Sequence, residues 1–299
     1  MEAWVLFTIA AAFLQNIRNS LQKSLNSVLS TVGAAYTRFA FGLPLAVIYW
    51  LVLIKLDGTP LNWSLEFWWF AFLGGTTQIA AMWFTLRAFA LRGFAVGTAY
   101  SKTETFQTAI FTIIILGEAV SAAAFIAIAI SFAGVCFLSL AKSDVTLKDF
   151  LTSWTRKAAL MGLGSGAMLG VSATSYRGGA LALGGDNVLL AAATTLMGAL
   201  AIQTALMTIY LYVREKGELA NIWKHRNKAF LVGVASMLGS VGWFTAMTLV
   251  NATYVRVLGQ VELIFTFATS VLIFKEKITG AENLGTVLIV GGLLFLLLG

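Results

Sequence analysis

Long apolar runs separated by short polar connections make up most of the chain. A bilayer hydrocarbon core about 30 Å thick is crossed by about 20 mostly apolar residues of helix. Lipid offers no partners to backbone groups, so such runs are read as spanning helices. The pattern predicts ten of them, at 3–20, 31–54, 66–91, 94–116, 120–141, 157–180, 186–213, 228–250, 253–274 and 280–298. Proline is scarce: Pro44 lies inside the second span and Pro60 in the loop after it. The Gly/Ser clusters at 162–166 and 239–242 are read as close helix packing through small residues rather than as flexible points. Between the fifth and sixth spans, SDVTLKDFLTSWTRK predicts a short interfacial helix. Ser143 or Asp144 would cap it, and Leu147, Phe150, Leu151 and Trp154 would share one face.

The two halves of the chain align without a gap. Glu104 falls on Glu262, Glu118 on Glu276, Gly134 on Gly292 and Ser121 on Thr279, each at a separation of 158. This predicts a duplicated five-helix unit: residues 1–141, a linker at 142–156, and residues 157–299. Five is odd, so the second copy enters the membrane from the opposite side. The expected fold is therefore all-α and integral to the membrane, with ten helices as two inverted repeats around a central cavity, an architecture of secondary transporters. Ser121 and Thr279 suit N-caps. Glu118 and Glu276 precede those helices near their positive dipole ends and are read as structural.

Composition agrees. Of 299 residues, 59% are hydrophobic and 11% charged, with a mean hydropathy of +0.86. Soluble domains carry about 25% charged residues, so a charged exterior is out of reach. The net charge of +7 comes from basic residues placed between apolar runs, which points to membrane topology and away from nucleic acid. Loops carrying Arg18 and Lys23, Arg87 and Arg92, Lys142 to Lys157, Arg214 to Lys228, and Lys275 and Lys277 alternate with loops holding little beyond Lys55 and Arg177. The positive-inside rule puts the rich set in the cytoplasm, and an even helix count then puts both termini outside. The N-terminal MEAWVLFTIAAAF lacks a basic n-region and is read as a retained first span. Cys136 is the lone cysteine and His225 the lone histidine, and neither founds a metal or catalytic centre. With no GxxxxGK[ST], HExxH or GxSxG motif, no enzyme activity and no cofactor are expected. The expected partners are the lipid bilayer and a small-molecule substrate, with no nucleic acid, and a monomer is the expected assembly.

A charge at the centre of a membrane helix costs about 2.5–3.5 kcal/mol on insertion scales, so intramembrane charges mark cavities or pairs. Lys102 and Glu104 lie in the fourth span, Arg256 and Glu262 in the ninth. Tyr100, Glu104, Gln107 and Phe111 share one helical face, as do Gly259, Glu262, Thr266 and Thr269. One reading is a site for a zwitterion: Glu104 or Glu262 for an ammonium, Arg256 or Lys102 for a carboxylate. The other reading is that these charges pair with one another and stabilise the bundle. Asn16 with Gln15, Gln78, Ser172, Tyr176 and Gln260 add polar groups at membrane depth, and Trp83 and Trp243 add aromatic walls. Arg18 and Arg177 are read as snorkelling to the interface.

The turn Ile115-Leu116-Gly117-Glu118, followed by an apolar run with Gly134, resembles the "LGE" turn of EamA-type repeats in the drug/metabolite transporter superfamily. Phe274-Lys275-Glu276 is a looser copy. The resemblance extends over the chain as two five-helix units and implies alternating-access transport. YddG-type amino acid exporters of the bacterial inner membrane are the nearest functional analogue. Two departures stand out. Thr105 and Leu263 occupy positions where many relatives carry a helix-bending proline, and many relatives keep their termini in the cytoplasm.

Overall fold

The computed structural model describes residues 2–57, 61–90, 94–141, 147–152, 154–272, 275 and 279–298. Most of those residues are helical, with no strand among them. In chain order the helices are α1 (Ala3–Leu25), α2 (Thr31–Ala40), α3 (Gly42–Asp57), α4 (Leu65–Ala90), α5 (Phe94–Ser101), α6 (Glu104–Leu116), α7 (Ala122–Leu140) and α8 (Leu147–Thr152). There follow α9 (Lys157–Ala182), α10 (Val188–Arg214), α11 (Glu218–Lys224), α12 (Arg226–Leu249), α13 (Ala252–Leu258), α14 (Val261–Leu272) and α15 (Gly280–Leu298). Pro60, Arg92, Lys142, Ser143, Asp144, Phe274, Glu276 and Lys277 lie outside the described residues, as do the side chains of Leu147 and Leu151.

Among the described residues, six helical stretches are long and apolar enough to cross a membrane: Thr31–Leu56, Ala122–Leu140, Lys157–Ala182, Val188–Arg214, Arg226–Leu249 and Gly280–Leu298. The protein is a multi-pass membrane protein. α1 and α4 are long enough, but Gln15, Asn16 and Arg18 in one and Thr76, Thr77 and Gln78 in the other dilute their apolar character. The spans expected at 94–116 and 253–274 are not single helices. Each is interrupted, at 102–103 and at 259–260. The second span breaks as well, at Phe41, where Pro44 has no N–H to donate to the Ala40 carbonyl.

The chain forms two compact units, Met1–Thr76 with Ser175–Val250, and Thr77–Thr174 with Asn251–Gly299. In the first, α1 lies along α12, while α2 and α3 pack on α10 and α12. A Cβ at Gly242 would sit 2.8 Å from the Phe7 carbonyl oxygen and 2.9 Å from the Ala11 methyl. Tyr36 and Thr208 hydroxyls meet at 2.7 Å, and the Trp50 indole donates to Thr194 at 3.0 Å. Ser30 caps α2 by accepting from the Gly33 N–H, and its own N–H donates to Glu218 at 2.6 Å.

In the second unit α7 and α15 are the most closely packed pair. A Cβ at Gly134 would lie 2.6 Å from the Gly285 carbonyl oxygen, and one at Gly285 would lie 2.7 Å from that of Gly134. Further along, Gly292 meets Ser131 and the Ala127 carbonyl. Residue number rises on one helix as it falls on the other, so the two helices run antiparallel. Their bounds also differ by 158 at both ends (280 − 122 and 298 − 140), as do the starts of α5 and α13 (252 − 94).

The local devices recur at the same spacing. The Ser121 hydroxyl accepts from the Ala124 N–H at 3.1 Å, capping α7. Thr279 accepts from the Glu282 N–H at 3.2 Å while Glu282 accepts from the Thr279 N–H at 2.9 Å, a reciprocal capping box on α15. Such caps contribute about 0.5–2 kcal/mol each. Gly117 ends α6 at φ 67°, its N–H bonded to the Ile113 carbonyl at 3.1 Å. Lys275, 158 residues on, takes φ 53°, and among the described residues it is the non-glycine residue in the left-handed region.

The linker helix α8 is held to this unit. The Phe150 ring lies 4.4 Å from that of Tyr100, and the Tyr100 hydroxyl donates to the Phe150 carbonyl at 2.8 Å. Phe150 is buried with Ala99, Cys136 and Ala159, while Trp154 is exposed. The face expected to lie on the membrane surface is thus turned into protein at Phe150.

Candidate functional site

The interruptions of the fourth and ninth spans supply the polar chemistry of the second unit. At the first, Lys102 and Thr103 donate to the carbonyls three residues back, Ala99 and Tyr100, at 3.2 Å. The Thr103 hydroxyl donates to the Tyr100 carbonyl at 2.6 Å and so competes with the α-helical ladder. At the second, Gln260, Glu262 and Leu263 donate to the carbonyls of Val257, Gly259 and Gln260 at 2.9–3.1 Å, again three residues back. Both are tight 3₁₀-type turns inside apolar stretches. Neither interruption contains a proline.

α6 packs against α13, and the two interruptions are joined there by side chains. Arg256 forms an ion pair with Glu104, their side chains 17% and 8% exposed. Gln260 donates to Thr105 at 3.4 Å. The Thr112 hydroxyl meets those of Thr174 at 3.2 Å and Thr253 at 3.5 Å. The amide oxygens of Gln260 and Gln107 are buried with no hydrogen-bond donor. The seam therefore offers one charge pair and two unused acceptors, in surroundings where an unsatisfied polar group is costly.

Glycines set how closely α9 approaches this seam. Gly162, Gly166 and Gly170 recur every four residues. Cβ atoms there would meet Tyr100 Cβ at 2.8 Å, the Ser101 carbonyl at 2.9 Å and the Thr108 N at 3.1 Å respectively. The cluster at 162–166 is a packing stripe, and Gln107 reaches across it to the Leu163 carbonyl at 3.3 Å.

Of the residues singled out in the sequence, the structure brings Glu104, Arg256 and Gln260 together. Tyr100 lies one turn away, but its ring and hydroxyl are engaged by Phe150. Lys102 sits in the first interruption, and its carbonyl accepts from Thr105 at 3.4 Å. Glu262 is partly buried in the first turn of α14. Ser172 is buried on α9, and Gln78 is partly buried on α4. Trp83 is half exposed, with the Arg87 guanidinium 5.1 Å from its ring centre.

Asn16, Tyr176 and Trp243 belong to the first unit. Trp243 donates to Gln15 at 3.2 Å. The Tyr176 ring lies 4.3 Å from that of Phe244, and its hydroxyl accepts from Gln203 at 3.2 Å. Asn16 is partly buried on α1. Arg177 does not snorkel: it donates to the Met247 and Thr248 carbonyls at 2.8 and 3.2 Å, satisfying the last turn of α12.

Sequence reasoning missed Gln203 and Arg38. Gln203 is buried and bridges Tyr176 to the Gly75 carbonyl at 3.4 Å. Arg38 lies in α2 within electrostatic reach of Arg18 and Tyr176. An arginine in the middle of an apolar span was the available signal for Arg38. Gln203, a single amide in a long alanine-rich run, offered less.

No curated protein matches the chain. Among solved structures, one crystal structure aligns with 99% of this chain and 96% of its own, at 16% identity and a TM-score of 0.74, a likeness of fold alone. Residues 156–298 match the model of the EamA-like transporter family, so the second half of the chain is similar to the transporters of that family.

Proposed function

We propose that the chain is a secondary carrier that exports amino acids, aromatic ones included, or similar small amphiphilic metabolites by alternating access. In this reading ten membrane passages form two inverted five-helix repeats in a bacterial inner membrane, with both termini outside. The EamA-like domain at 156–298 supports the transporter class. The antiparallel run of α7 and α15, 158 residues apart, supports inversion of the two copies.

The observation that carries the substrate class is the Glu104–Arg256 ion pair between two interrupted helices. Separating a buried pair strands two charges, and each then needs a new partner. A zwitterion supplies both at once: its ammonium goes to Glu104 and its carboxylate to Arg256. The free Gln260 and Gln107 oxygens accept the remaining ammonium hydrogens. A drug-like cation would replace Arg256 at Glu104 and leave the guanidinium stranded, and a sugar derivative would leave both charges so. Glu262, Lys102, Gln78, Ser172, Trp83 and Tyr100, with Asn16, Tyr176 and Trp243, complete the proposed set.

Counterflow in proteoliposomes tests this, with labelled zwitterionic amino acids, their amides and their deaminated acids as a panel. Saturable counterflow of the zwitterions, weak for both truncated series, is the expected result. Equal flux of amide and zwitterion would transfer the assignment to a cation carrier, and non-saturating flux would point to a channel.

A further inference from the structure

A cavity lies in the first unit. Phe41, Trp223, Arg226, Asn227 and Phe230 line about 350 Å³ of space. At Phe41 the chain approaches α12 closely: a Cβ at Gly233 would lie 2.5 Å from the Phe41 Cβ and 2.8 Å from its carbonyl carbon. The α2–α3 break at Phe41 can therefore lie directly against α12. Its mouth is built by α11 and the first turns of α12. Ile222 is buried under α11, while Trp223 and Phe230 stay 65% and 47% exposed.

Charge and depth say what fits. α12 is apolar enough to cross the membrane from Arg226 onward, so the cavity lies at the level of the lipid headgroups. Lys224, Arg226 and Lys228 stand within five residues and are all exposed. The guanidinium of Arg226 lies 5.7 Å from the Trp223 ring centre, and its hydrogen bond to the Trp223 carbonyl is long, at 3.4 Å. The carboxylate of Glu218 in the same segment is turned away, accepting from the Ser30 N–H. The Asn227 amide adds donors at the rim. Aromatic walls below and cationic donors above match an anionic amphiphile held at the interface.

We propose that this cavity binds the phosphate headgroup of an anionic phospholipid, with the first part of an acyl chain against Phe41 and Phe230. The site is independent of the transport reading.

The test is lipid titration of the full-length protein in neutral detergent, followed by native mass spectrometry. Phosphatidylglycerol, phosphatidylcholine and inorganic phosphate are the probes. Phosphatidylglycerol is expected to bind more tightly than phosphatidylcholine. Arg226→Gln should weaken it roughly tenfold, as loss of one charge-assisted hydrogen bond does, and Arg226→Lys should recover part of that loss. Trp223→Ala should weaken binding, and Lys55→Gln should leave it unchanged. Arg226 and Trp223 are exposed, so their variants keep the fold under test. Equal binding of the two lipids, or an unaltered Arg226→Gln variant, overturns the proposal. Displacement of phosphatidylglycerol by millimolar inorganic phosphate would assign the site to a soluble anion and overturn the lipid assignment.

Discussion

Residues 94–140 and 252–298 follow a similar helical plan and differ in their polar chemistry. Both begin with a short helix, α5 or α13, interrupted by a 3₁₀-type turn. Both end on a 19-residue helix, α7 or α15, opened by a hydroxyl cap. The mates of the polar seam diverge. Glu104 pairs with Arg256, whereas the residue 158 positions before Arg256 is a threonine, Thr98 (256 − 158 = 98). Gln260 reaches Thr105, whereas their counterparts are Lys102 and Leu263. Thr98 carries no charge, so the Glu104–Arg256 pair is not repeated between positions 98 and 262.

The largest expected effect tests that asymmetry. Glu104→Gln leaves the Arg256 guanidinium buried without its counter-charge, which destabilises by about 3–5 kcal/mol. Glu262→Gln, in the first turn of α14, is the comparison variant and should fall near the ordinary substitution effect of about 1 kcal/mol. Tryptophan-monitored thermal unfolding in detergent compares them. The double variant Glu104→Gln with Arg256→Gln should recover much of the loss, because no buried charge then remains. Equal destabilisation by the two single glutamate variants would mean that the copies are equivalent after all.

A smaller effect tests what the copies share. Gly134→Val and Gly285→Val each push a side chain into the facing backbone of the α7–α15 pair and should cost about 1–3 kcal/mol. Gly291, beside Gly292 but facing open space, serves as the internal control. Gly291→Val should leave the melting temperature unchanged. If it melts as low as Gly134→Val, the loss reflects membrane-helix propensity and not the antiparallel contact.

How much of this was legible in the sequence follows from which interactions leave a periodic trace. The caps Ser121 and Thr279 and the glycine stripe 162–166 are local or periodic, and they reappear in the coordinates. The interruptions at 102–103 and 259–260 were not predicted, because without proline a break depends on competition by Thr103 and on the tolerance of Gly259. The face shared by Tyr100, Glu104 and Gln107 assumed a continuous helix. The break sends Tyr100 to Phe150 and Glu104 to Arg256. The ion-pair partner of Glu104 is 152 residues away, and no periodicity encodes it. Gln203 and Arg38 were hidden for the same reason, since their surroundings are set by packing between distant helices.

The smallest expected effect concerns the turn where the copies coincide in conformation but not in residue. Gly117 and Lys275 both lie in the left-handed region, at φ 67° and φ 53°. That conformation costs a residue with a Cβ about 1–2 kcal/mol, while glycine adds about 0.4–1 kcal/mol of unfolded-state freedom. The signs therefore oppose. Gly117→Ala should destabilise by about 0.5–1 kcal/mol, and Lys275→Gly should stabilise by a similar amount. Lys275 is exposed, so little side-chain packing is lost with it. A Cβ at Gly117 meets nothing within 4 Å, so its penalty is conformational and not steric. Paired unfolding curves in one detergent read both shifts. Opposite shifts of similar size would tie the second copy's looser turn to the same backbone geometry as the first. A destabilised Lys275→Gly variant would show instead that the lysine side chain holds that turn in a way glycine cannot replace.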